Sequence, residues 1–348
     1  MPKGNHTAPL NIILWGRQAV LGQGLLRGHL RMPCRFFAFP ELPKDGMLPP
    51  ELRRADVVVA SSFTEPMVQA APRLKLLHAT GAGVDSFCLS ALNAHTTVAN
   101  AYFHGPAISE YVMMMVLALS RDLLKMDSLF RRGLWFGSWI WGTAPPAEIQ
   151  GQTLGLIGYG HIGKELAARA SAFGMRLRVI SAHPPARKPP HIEVYEGPGG
   201  LRDLLKASDY VVLACPLNAQ TRGLIGPRQF GWMKRTASLI NVARGPVVDE
   251  AALYDTLRTH RIHGAAVDVW YRYPAENRTF RPSRFPFHKL DNIIMTAHVS
   301  GWMKGTRENR FQLIAANIDR LATGQPLHNV VQGPRRHPTA KPGKQTKN

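Results

Sequence analysis

Residues 153–181, TLGLIGYGHIGKELAARASAFGMRLRVIS, predict a strand, a glycine-rich turn, a helix and a second strand in that order. The apolar run at 154–157 has the length of a buried strand, and the run at 177–180 suits its parallel partner. Between them, the pattern G-x-G-x-x-G is followed by apolar side chains at three- to four-residue spacing, which form one face of a helix.

The three glycines of this pattern indicate a dinucleotide site. Gly158 permits a tight turn, Gly160 lets the backbone approach a pyrophosphate, and Gly163 lets the helix pack closely on the strand. The free N–H groups at the start of the helix attract phosphate. Because the glycines lie between a predicted strand and a predicted helix, the sequence favours phosphate binding over a purely structural turn.

The rest of the chain continues this alternation of strands and helices, so we expect an α/β fold. Its 348 residues suggest about two domains. We predict strands at 10–14, 55–60, 74–79, 210–214, 238–242, 264–269 and 293–296, and helices at 107–124, 201–207, 250–259 and 306–323. Residues 33–50, rich in proline, and 131–149, with Trp135, Trp139 and Trp141, are expected to be irregular.

The net charge of +20 raises the hypothesis of a nucleic-acid-binding protein. Five of the basic residues lie without an acid in 333–348, and the remaining +15 is dispersed. The sequence has no basic helix and no interleaving of aromatic and basic residues that would suggest a groove for bases. We therefore expect no nucleic acid partner, but a basic surface that draws small anions into a cleft.

Hydropathy and cysteine content indicate in which cellular compartment the protein is expected. No run of about 18 apolar residues exists, so no membrane span is expected. The three cysteines, Cys34, Cys88 and Cys215, follow no metal or disulfide spacing. We expect a cytoplasmic protein without a metal.

Several predicted strands end in turns that could carry chemistry. Residues 215–217, 243–245 and 297–298 follow three strands of the second half, and ligands of parallel sheets bind at the carboxyl ends of the strands. In the first half, residues 80–85 (TGAGVD) form a glycine turn whose N–H groups could bind an anion, although such a turn is more often only structural.

Four motifs in sequence order, GLIGYGHIGKELAARASAFGM, CPLNAQTRGLIG, LINVARGPVVDEAAL and AVDVW…TAHVSGW, resemble the D-isomer-specific 2-hydroxyacid dehydrogenase family. The similarity covers roughly residues 57–321. The resemblance implies two Rossmann-like, doubly wound parallel-sheet domains with a cleft between them. It places a discontinuous substrate domain at 1–104 and 301–330, a dinucleotide-binding domain at 105–300, and a basic disordered tail at 331–348.

The resemblance implies an NAD(P)-dependent oxidoreductase that acts on a small 2-oxo or 2-hydroxy acid such as glyoxylate or hydroxypyruvate. Arg244 matches the arginine that grips the substrate carboxylate, for which a planar guanidinium gives two parallel hydrogen bonds. His298 matches the acid/base histidine, and imidazole suits this task because its pKa lies near neutral pH. Ala82 and Gly83 match the turn whose N–H groups also hold the carboxylate.

The resemblance also implies a set of cofactor-binding residues and a homodimer that pairs through the cofactor domain. The cofactor-binding set is Gly158, Tyr159, Gly160, His161, Ile162, Gly163, Ser181, His183, Arg187, Cys215, Pro216, Thr221, Val242, Ala243, Arg244, Asp268 and His298.

One departure from the family concerns its third catalytic residue, a glutamate five positions after the aspartate of the DV(F/W) motif. Counting from Asp268, this position is Tyr273. A phenol is neutral at pH 7 and cannot stabilise imidazolium as a carboxylate does. Either His298 works with a lower pKa, or Glu276 reaches in, or catalysis is impaired.

A second departure concerns the adenosine ribose. NAD enzymes usually carry an acidic residue about 20 residues beyond the glycines, but here the strand ends in Ser181, Ala182 and His183, followed by Arg187 and Lys188. No carboxylate would repel a 2′-phosphate and cations are near, so the sequence favours NADP(H), with NAD(H) left open.

Two alternatives remain at this point. A formate- or phosphite-type dehydrogenase is disfavoured, because formate dehydrogenases carry an asparagine where this chain has Met115. A non-catalytic, NAD(H)-binding corepressor-like protein is favoured by the missing glutamate and the basic tail, but Arg244 and His298 argue against it.

Overall fold

The computed structural model describes residues 8–42, 47–135, 145–274 and 279–334. The chain divides into two compact units, Met1–Phe103 with Lys304–Asn348, and His104–Met303. Each unit contains one sheet of mainly parallel strands, so the predicted α/β class with two parallel-sheet domains is confirmed.

The first unit has a six-stranded sheet in the order β13-β5-β4-β3-β1-β2. All neighbours are parallel except β13, which runs antiparallel to β5. The strands are β1 Leu10–Trp15, β2 Cys34–Phe39, β3 Val57–Ala60, β4 Leu76–Ala79, β5 Thr97–Ala99 and β13 Val330–Gln332, and the helices are α1 Arg17–Leu21, α2 Gln23–His29, α3 Glu65–Ala70 and α10 Thr306–Ala322.

The last helix returns to the first sheet, as its apolar pattern predicts. Phe311, Ile314 and Ile318 of α10 are buried against β1, β3 and β4, in a cluster that also includes Leu26 of α2. The opposite face of the sheet is covered by Met67 and Val68 of α3 among others. This unit therefore has a core on both sides of its sheet.

The second unit has a seven-stranded parallel sheet in the order β12-β11-β10-β9-β6-β7-β8. Helices α4 and α6 contribute to the core on one face, and α7, α8 and α9 to the core on the other. The strands are β6 Thr153–Ile157, β7 Arg176–Ile180, β8 Val194–Glu196, β9 Tyr210–Leu213, β10 Ser238–Asn241, β11 Gly264–Val267 and β12 Ile293–Met295, and the helices are α4 Gly105–Ser120, α5 Leu123–Arg131, α6 His161–Ala172, α7 Leu201–Ala207, α8 Pro227–Trp232 and α9 Glu250–Arg258.

The order of this second sheet creates a topological switch point between β6 and β9. From β6 the chain moves outward through β7 and β8, and then returns to place β9 on the other side of β6. Ligands of open α/β sheets bind at such a point, outside the carboxyl ends of the strands.

The expectation that 33–50 is irregular is wrong for its first part. β2 (Cys34–Phe39) pairs with β1 over its whole length. It is an edge strand in which Arg35 and Ala38 are exposed and the other four side chains are half-buried, and prolines flank it. Phe36 packs on one face of the sheet and Phe37 on the other, so the strand shows neither a continuous buried run nor a period-two alternation.

The predicted helix at 107–124 is two helices. α4 ends at Ser120, Asp122 adopts a left-handed conformation with φ 48°, and α5 begins at Leu123. Apolar residues continue through the break, so periodicity could not reveal it. Leu123 and Leu124 are exposed and do not extend the buried face of α4.

The expected start of the disordered tail at 331 is also wrong. β13 (Val330–Gln332) includes two of its residues and hydrogen-bonds to β5. Residues 335–348, which hold the basic side chains of the tail, lie outside the described part of the chain.

Candidate active site

The seven-stranded sheet gathers the predicted site residues of the second unit at one edge. Each follows the carboxyl end of a strand: Gly158–Gly163 after β6, Ser181, His183 and Arg187 after β7, Cys215, Pro216 and Thr221 after β9, Val242, Ala243 and Arg244 after β10, Asp268 and Tyr273 after β11, and His298 after β12. Strands that are distant in sequence thus bring these residues to a common edge.

The glycine turn after β6 has the geometry that a dinucleotide needs. Gly158 has φ +104°, and a Cβ there would lie 2.7 Å from the carbonyl oxygen of Ala214 beyond β9. A Cβ on Gly163 would lie 2.5 Å from the Gly158 oxygen, whereas space is open around Gly160. α6 begins at His161, so its first N–H groups lie at this turn. These residues fit a pyrophosphate.

An aromatic ring of this turn contacts a second ring on a strand of the same sheet. Tyr159 lies edge-to-face with Tyr195 of β8, with ring centroids 5.2 Å apart. The Tyr195 hydroxyl is 3.0 Å from the Ser181 hydroxyl after β7. Ile162 packs at the border of the α4–α6 core.

The region after β7 contains cations and one acid that the sequence pattern did not suggest. His183 and Arg187 are exposed, and Lys188 donates to the Ile192 carbonyl at 2.7 Å. Glu196 lies in register with Ile180, the last residue of β7. It is about 38 positions beyond the first glycine, so only the sheet pairing reveals that a carboxylate neighbours this strand end.

The loop after β9 is held by its own polar groups. Thr221 donates through Oγ1 to the Pro216 carbonyl at 2.6 Å, and its N–H donates to Asn218 Oδ1 at 3.0 Å. Burial raises the pKa of Cys215 to about 11. Its side chain packs in the core of the second unit.

The turn that carries Arg244 is braced from two sides. Asn241 donates through Nδ2 to the Arg244 carbonyl at 3.1 Å and accepts from the Ala243 N–H through Oδ1 at 3.1 Å. A side chain at Gly245 would overlap the carbonyl oxygen of Trp270, so this turn packs directly on the segment after β11. The partly exposed Arg244 donates through Nη1 to the Ala243 carbonyl at 2.8 Å.

His298 has a left-handed backbone, φ 58°, which is uncommon for a residue other than glycine. The two residues that follow it are fixed by fully buried Asp268. Oδ1 of Asp268 accepts from the Val299 N–H at 2.9 Å, and Oδ2 accepts from the Ser300 N–H at 3.0 Å. These charge-assisted hydrogen bonds offset the strain of the turn. Asp268, which was predicted to bind cofactor, thus holds the segment that carries His298.

Tyr273, which the sequence resemblance matches with a glutamate, lies beside His298. The ring centroids are 5.6 Å apart with an interplanar angle of 53°. The phenol oxygen accepts a hydrogen bond from the Trp270 N–H at 3.2 Å. The structure therefore places an aromatic ring next to the imidazole. Glu276, the suggested substitute carboxylate, and the tryptophans Trp139 and Trp141 lie outside the described residues.

In the first unit, Ala82 and Gly83 follow the carboxyl end of β4, and both residues are partly exposed. Asn100 donates to the Ala82 carbonyl at 2.7 Å and steadies this turn. Arg310 of α10 lies beside the same turn: a Cβ on Gly81 would be 3.9 Å from the guanidinium, whose Nε donates to the Tyr102 carbonyl at 3.1 Å. Sequence patterns missed Arg310, although its place next to buried Phe311 is a usable signal.

The described residues lack two features, a metal-binding cluster and a membrane-spanning helix. No group of three or more histidine, cysteine, aspartate or glutamate side chains in these ranges could hold a metal ion. Within the same ranges, no helix combines the length and apolarity required to cross a membrane.

Comparison with known proteins gives a consistent set of similarities. Residues 113–300 match the family described as D-isomer specific 2-hydroxyacid dehydrogenase, NAD binding domain. D-3-phosphoglycerate dehydrogenase of Methanocaldococcus jannaschii is 32% identical over 294 residues, which cover 82% of this chain and 53% of that protein. The chain thus spans about half the length of that relative.

Two further similarities cover most of both partners. Glyoxylate reductase of Thermococcus kodakarensis is 31% identical over 298 residues, 82% of this chain and 85% of that protein. A solved structure of an acyclic imino acid reductase in complex with NADPH and D-Arg is similar with a TM-score of 0.74 and 26% identity, and covers 93% of this chain and 100% of that one.

Proposed function

Since the chain belongs to the D-isomer specific 2-hydroxyacid dehydrogenase family, we propose that it transfers a hydride between NAD(P)H and a small 2-oxo or 2-hydroxy acid, of the size of glyoxylate or hydroxypyruvate. The observation that carries this proposal is the position of Arg244, Tyr273 and His298 after three adjacent strands, at the edge that also carries the glycine turn. The glyoxylate reductase relative supports the substrate class.

The cofactor is held by the turn at Gly158–Gly163 and the start of α6. Bound nicotinamide supplies or accepts the hydride. The open space around Gly160 and the close packing of Gly158 and Gly163 support a pyrophosphate at this turn. Arg187, exposed after β7, and the NADPH-bound neighbour favour NADP(H), whereas Glu196 on the neighbouring strand is the residue that favours NAD(H).

Arg244 orients the substrate through its carboxylate. The turn is fixed by Asn241 and by the contact of Gly245 with Trp270, so the backbone that carries the guanidinium is ordered before an anion binds. The backbone N–H groups at Ala82 and Gly83, in the first unit, are a second proposed anion contact.

His298 moves the proton. In reduction, its protonated imidazole donates to the substrate oxygen as the hydride reaches the carbonyl carbon, and in oxidation the neutral imidazole accepts that proton. The fixed backbone from Thr296 to Ser300 supports this role because a general acid must hold its position within a few tenths of an ångström.

The second unit is proposed to form a homodimer. Helices α4 and α5 and the residues after them expose a series of large apolar side chains: Met114, Leu117, Leu123, Leu124, Phe130, Leu134 and Trp135. We call this surface the α4–α5 face. Phe130 and Trp135 are in ring contact, so the exposed apolar side chains continue from α5 to the residues that follow it. Monomers rarely expose such patches, and a second copy is the occupant that matches the family.

Light scattering tests the dimer. The wild-type chain should have twice the mass of one copy, and Leu124→Glu with Phe130→Glu should give a monomer because two carboxylates would be buried in the interface. Leu21→Glu, a charge on a leucine of the first unit that is at least as exposed, is the matched control and should remain a dimer. A wild-type monomer would contradict this part of the proposal.

The three free cysteines suit a reducing compartment, and we expect a cytoplasmic protein.

A panel of 2-oxo acids with NADPH and NADH tests the activity. We expect oxidation of reduced cofactor with glyoxylate, hydroxypyruvate or a close analogue, and a higher kcat/KM with NADPH than with NADH. A tenfold or larger NADH preference would overturn the cofactor proposal. Failure to turn over any 2-oxo acid, together with salt-dependent binding to DNA, would favour a non-catalytic protein.

A further inference from the structure

A chain of short hydrogen bonds links helix α4 to the segment that carries His298. The Tyr111 hydroxyl lies 2.6 Å from Thr296 Oγ1, and Thr296 Oγ1 donates to Asp268 Oδ1 at 2.6 Å. Tyr111 and Asp268 are both buried, and 185 residues separate Tyr111 from Thr296. Thr296 between them is half-buried, and such short contacts restrict the positions of all three side chains.

The direction of each hydrogen bond follows from the number of protons. A threonine hydroxyl has one proton, and Asp268 as a carboxylate only accepts hydrogen bonds. The Thr296 hydroxyl therefore donates to Asp268. Tyr111 must therefore be the donor to Thr296. The chain runs from Tyr111 through Thr296 to Asp268, and each donor polarises the next.

Thr296 is fixed at two further atoms. Its N–H donates to the Val267 carbonyl at 3.1 Å, and its carbonyl accepts from the indole Nε1 of Trp270 at 2.8 Å. Asp268 holds Val299 and Ser300 on the other side of the histidine. His298 thus lies in a five-residue segment that is fixed at both ends by groups of the β11 strand end.

We propose that Tyr111 is a positioning residue for His298: it orients the Thr296 hydroxyl, and through it the Asp268 carboxylate that fixes the left-handed turn at the histidine. This inference rests on the proposed role of His298 in proton transfer. In the absence of the Tyr111 hydroxyl, the half-buried Thr296 oxygen loses its donor, and both Thr296 and Asp268 gain freedom. The imidazole would then sample positions that do not reach the substrate oxygen.

Tyr111→Phe tests the proposal, because it removes only the hydroxyl. We expect kcat for a 2-oxo acid to fall by about tenfold, the factor that one hydrogen bond is worth, while KM for the acid and for NADPH changes by less than about twofold. Thr296→Val breaks the same chain, so the double variant should lose no more than Thr296→Val alone.

Tyr210→Phe is the matched control. Tyr210 is as buried as Tyr111, and its hydroxyl hydrogen-bonds to Ser120. It is the first residue of β9, so it lies at the amino-terminal ends of the strands, whereas His298 follows a carboxyl end. Its loss should lower the melting temperature to a similar extent and leave kcat unchanged. A general structural effect would lower kcat to the same extent in Tyr111→Phe and Tyr210→Phe.

A readout that needs no turnover separates this inference from the proposed function. The imidazole Cε1–H resonance of His298, identified by its loss in His298→Asn, should shift or broaden in Tyr111→Phe and stay unchanged in Tyr210→Phe. This result would support the positioning role even if no 2-oxo acid is reduced. A His298 resonance in Tyr111→Phe identical to that of the wild type would overturn the inference.

Discussion

At the scale of single residues, the environment of His298 distinguishes this protein from the family pattern. The imidazole lies beside a phenol ring where the family has a carboxylate, and the phenol oxygen is engaged by the Trp270 N–H. A charged imidazole gains about 0.5–1 kcal/mol from an exposed aromatic face, less than from a carboxylate at ion-pair distance. We therefore expect a tyrosine at position 273 to favour imidazolium less than a glutamate at the same position would.

We predict that the pH–rate profile for carbonyl reduction reflects this difference. The reaction needs protonated imidazole, so the rate falls as pH rises through the midpoint of the basic limb, and a weaker partner moves this limb to lower pH. Tyr273→Glu should move it upward by about one pH unit, since an adjacent carboxylate favours imidazolium. Tyr273→Phe carries no charge and should leave the limb in place. An unchanged limb in Tyr273→Glu would show that position 273 does not govern the proton.

Arg310 gives a second prediction at this scale. Its guanidinium lies beside the Gly81–Gly83 turn, and burial lowers its pKa while leaving it charged at neutral pH. We expect Arg310→Met to raise KM for a 2-oxo acid by about tenfold without changing KM for NADPH, because a cation that stabilises the bound carboxylate is lost. Arg307→Met removes an exposed arginine one turn earlier and is the control. Equal effects of the two variants would indicate a general loss of positive charge.

At the scale of helices and strands, a buried histidine joins α10 to the first sheet. His78 of β4 is fully buried; its Nε2 lies 3.0 Å from Asn317 Nδ2, and Nδ1 lies 2.9 Å from the Ala79 carbonyl. Since Asn317 donates, Nε2 accepts and Nδ1 carries the proton, which defines a neutral imidazole. Asn317 also accepts from the His328 N–H at 2.8 Å and thereby holds the segment before β13.

This contact predicts acid sensitivity of the first unit. Burial lowers the pKa of His78 from 6.5 to about 4, so the unfolded chain binds this proton more readily than the folded one. The full stability is present above pH 6.5 and is lost as pH falls towards 4, by about 3 kcal/mol. The free energy of unfolding of His78→Gln, measured by denaturant titration between pH 7 and 4, should fall less steeply than that of the wild type. Equal slopes would contradict the assignment.

Elements with strong local signals could be predicted from sequence, and those defined by tertiary pairing could not. β6, α6 and β7 carry apolar runs, glycines and helical spacing in one continuous stretch. β2, β5, β8 and β13 are short or lie at sheet edges, where strand pairing and not an apolar run defines the structure. The break at Asp122 depends on one left-handed residue within an unbroken apolar sequence.

The candidate site shows the same division. Arg244, His298 and the glycines were predicted because motifs place them at strand ends. Tyr111, Arg310 and Glu196 were not, because each reaches its place through an element that is distant in sequence. A tyrosine in the apolar helix α4 is nevertheless a signal, since a buried hydroxyl requires a partner.

At the scale of the whole molecule, the two units have related architectures and different proposed tasks. The proposed anion-binding turn at Ala82 and Gly83 belongs to the first unit, and the proposed dinucleotide turn, Arg244 and His298 belong to the second. The α4–α5 face belongs to the second unit, so the proposed dimer pairs the units that bind cofactor. The net charge of +20 would draw anionic substrates and cofactor towards the protein, with an association rate that falls as salt increases.

The most direct test is transfer of deuterium from reduced nicotinamide labelled at C4 to C2 of the 2-hydroxy acid product, followed in the wild type, Arg244→Met and His298→Asn. We predict label at C2 for the wild type. Arg244→Met should raise KM for the acid by about a hundredfold, and His298→Asn should lower kcat by at least about a hundredfold with KM retained. Unlabelled product, or variants that match the wild type, would contradict hydride transfer to an acid held by Arg244 and protonated by His298.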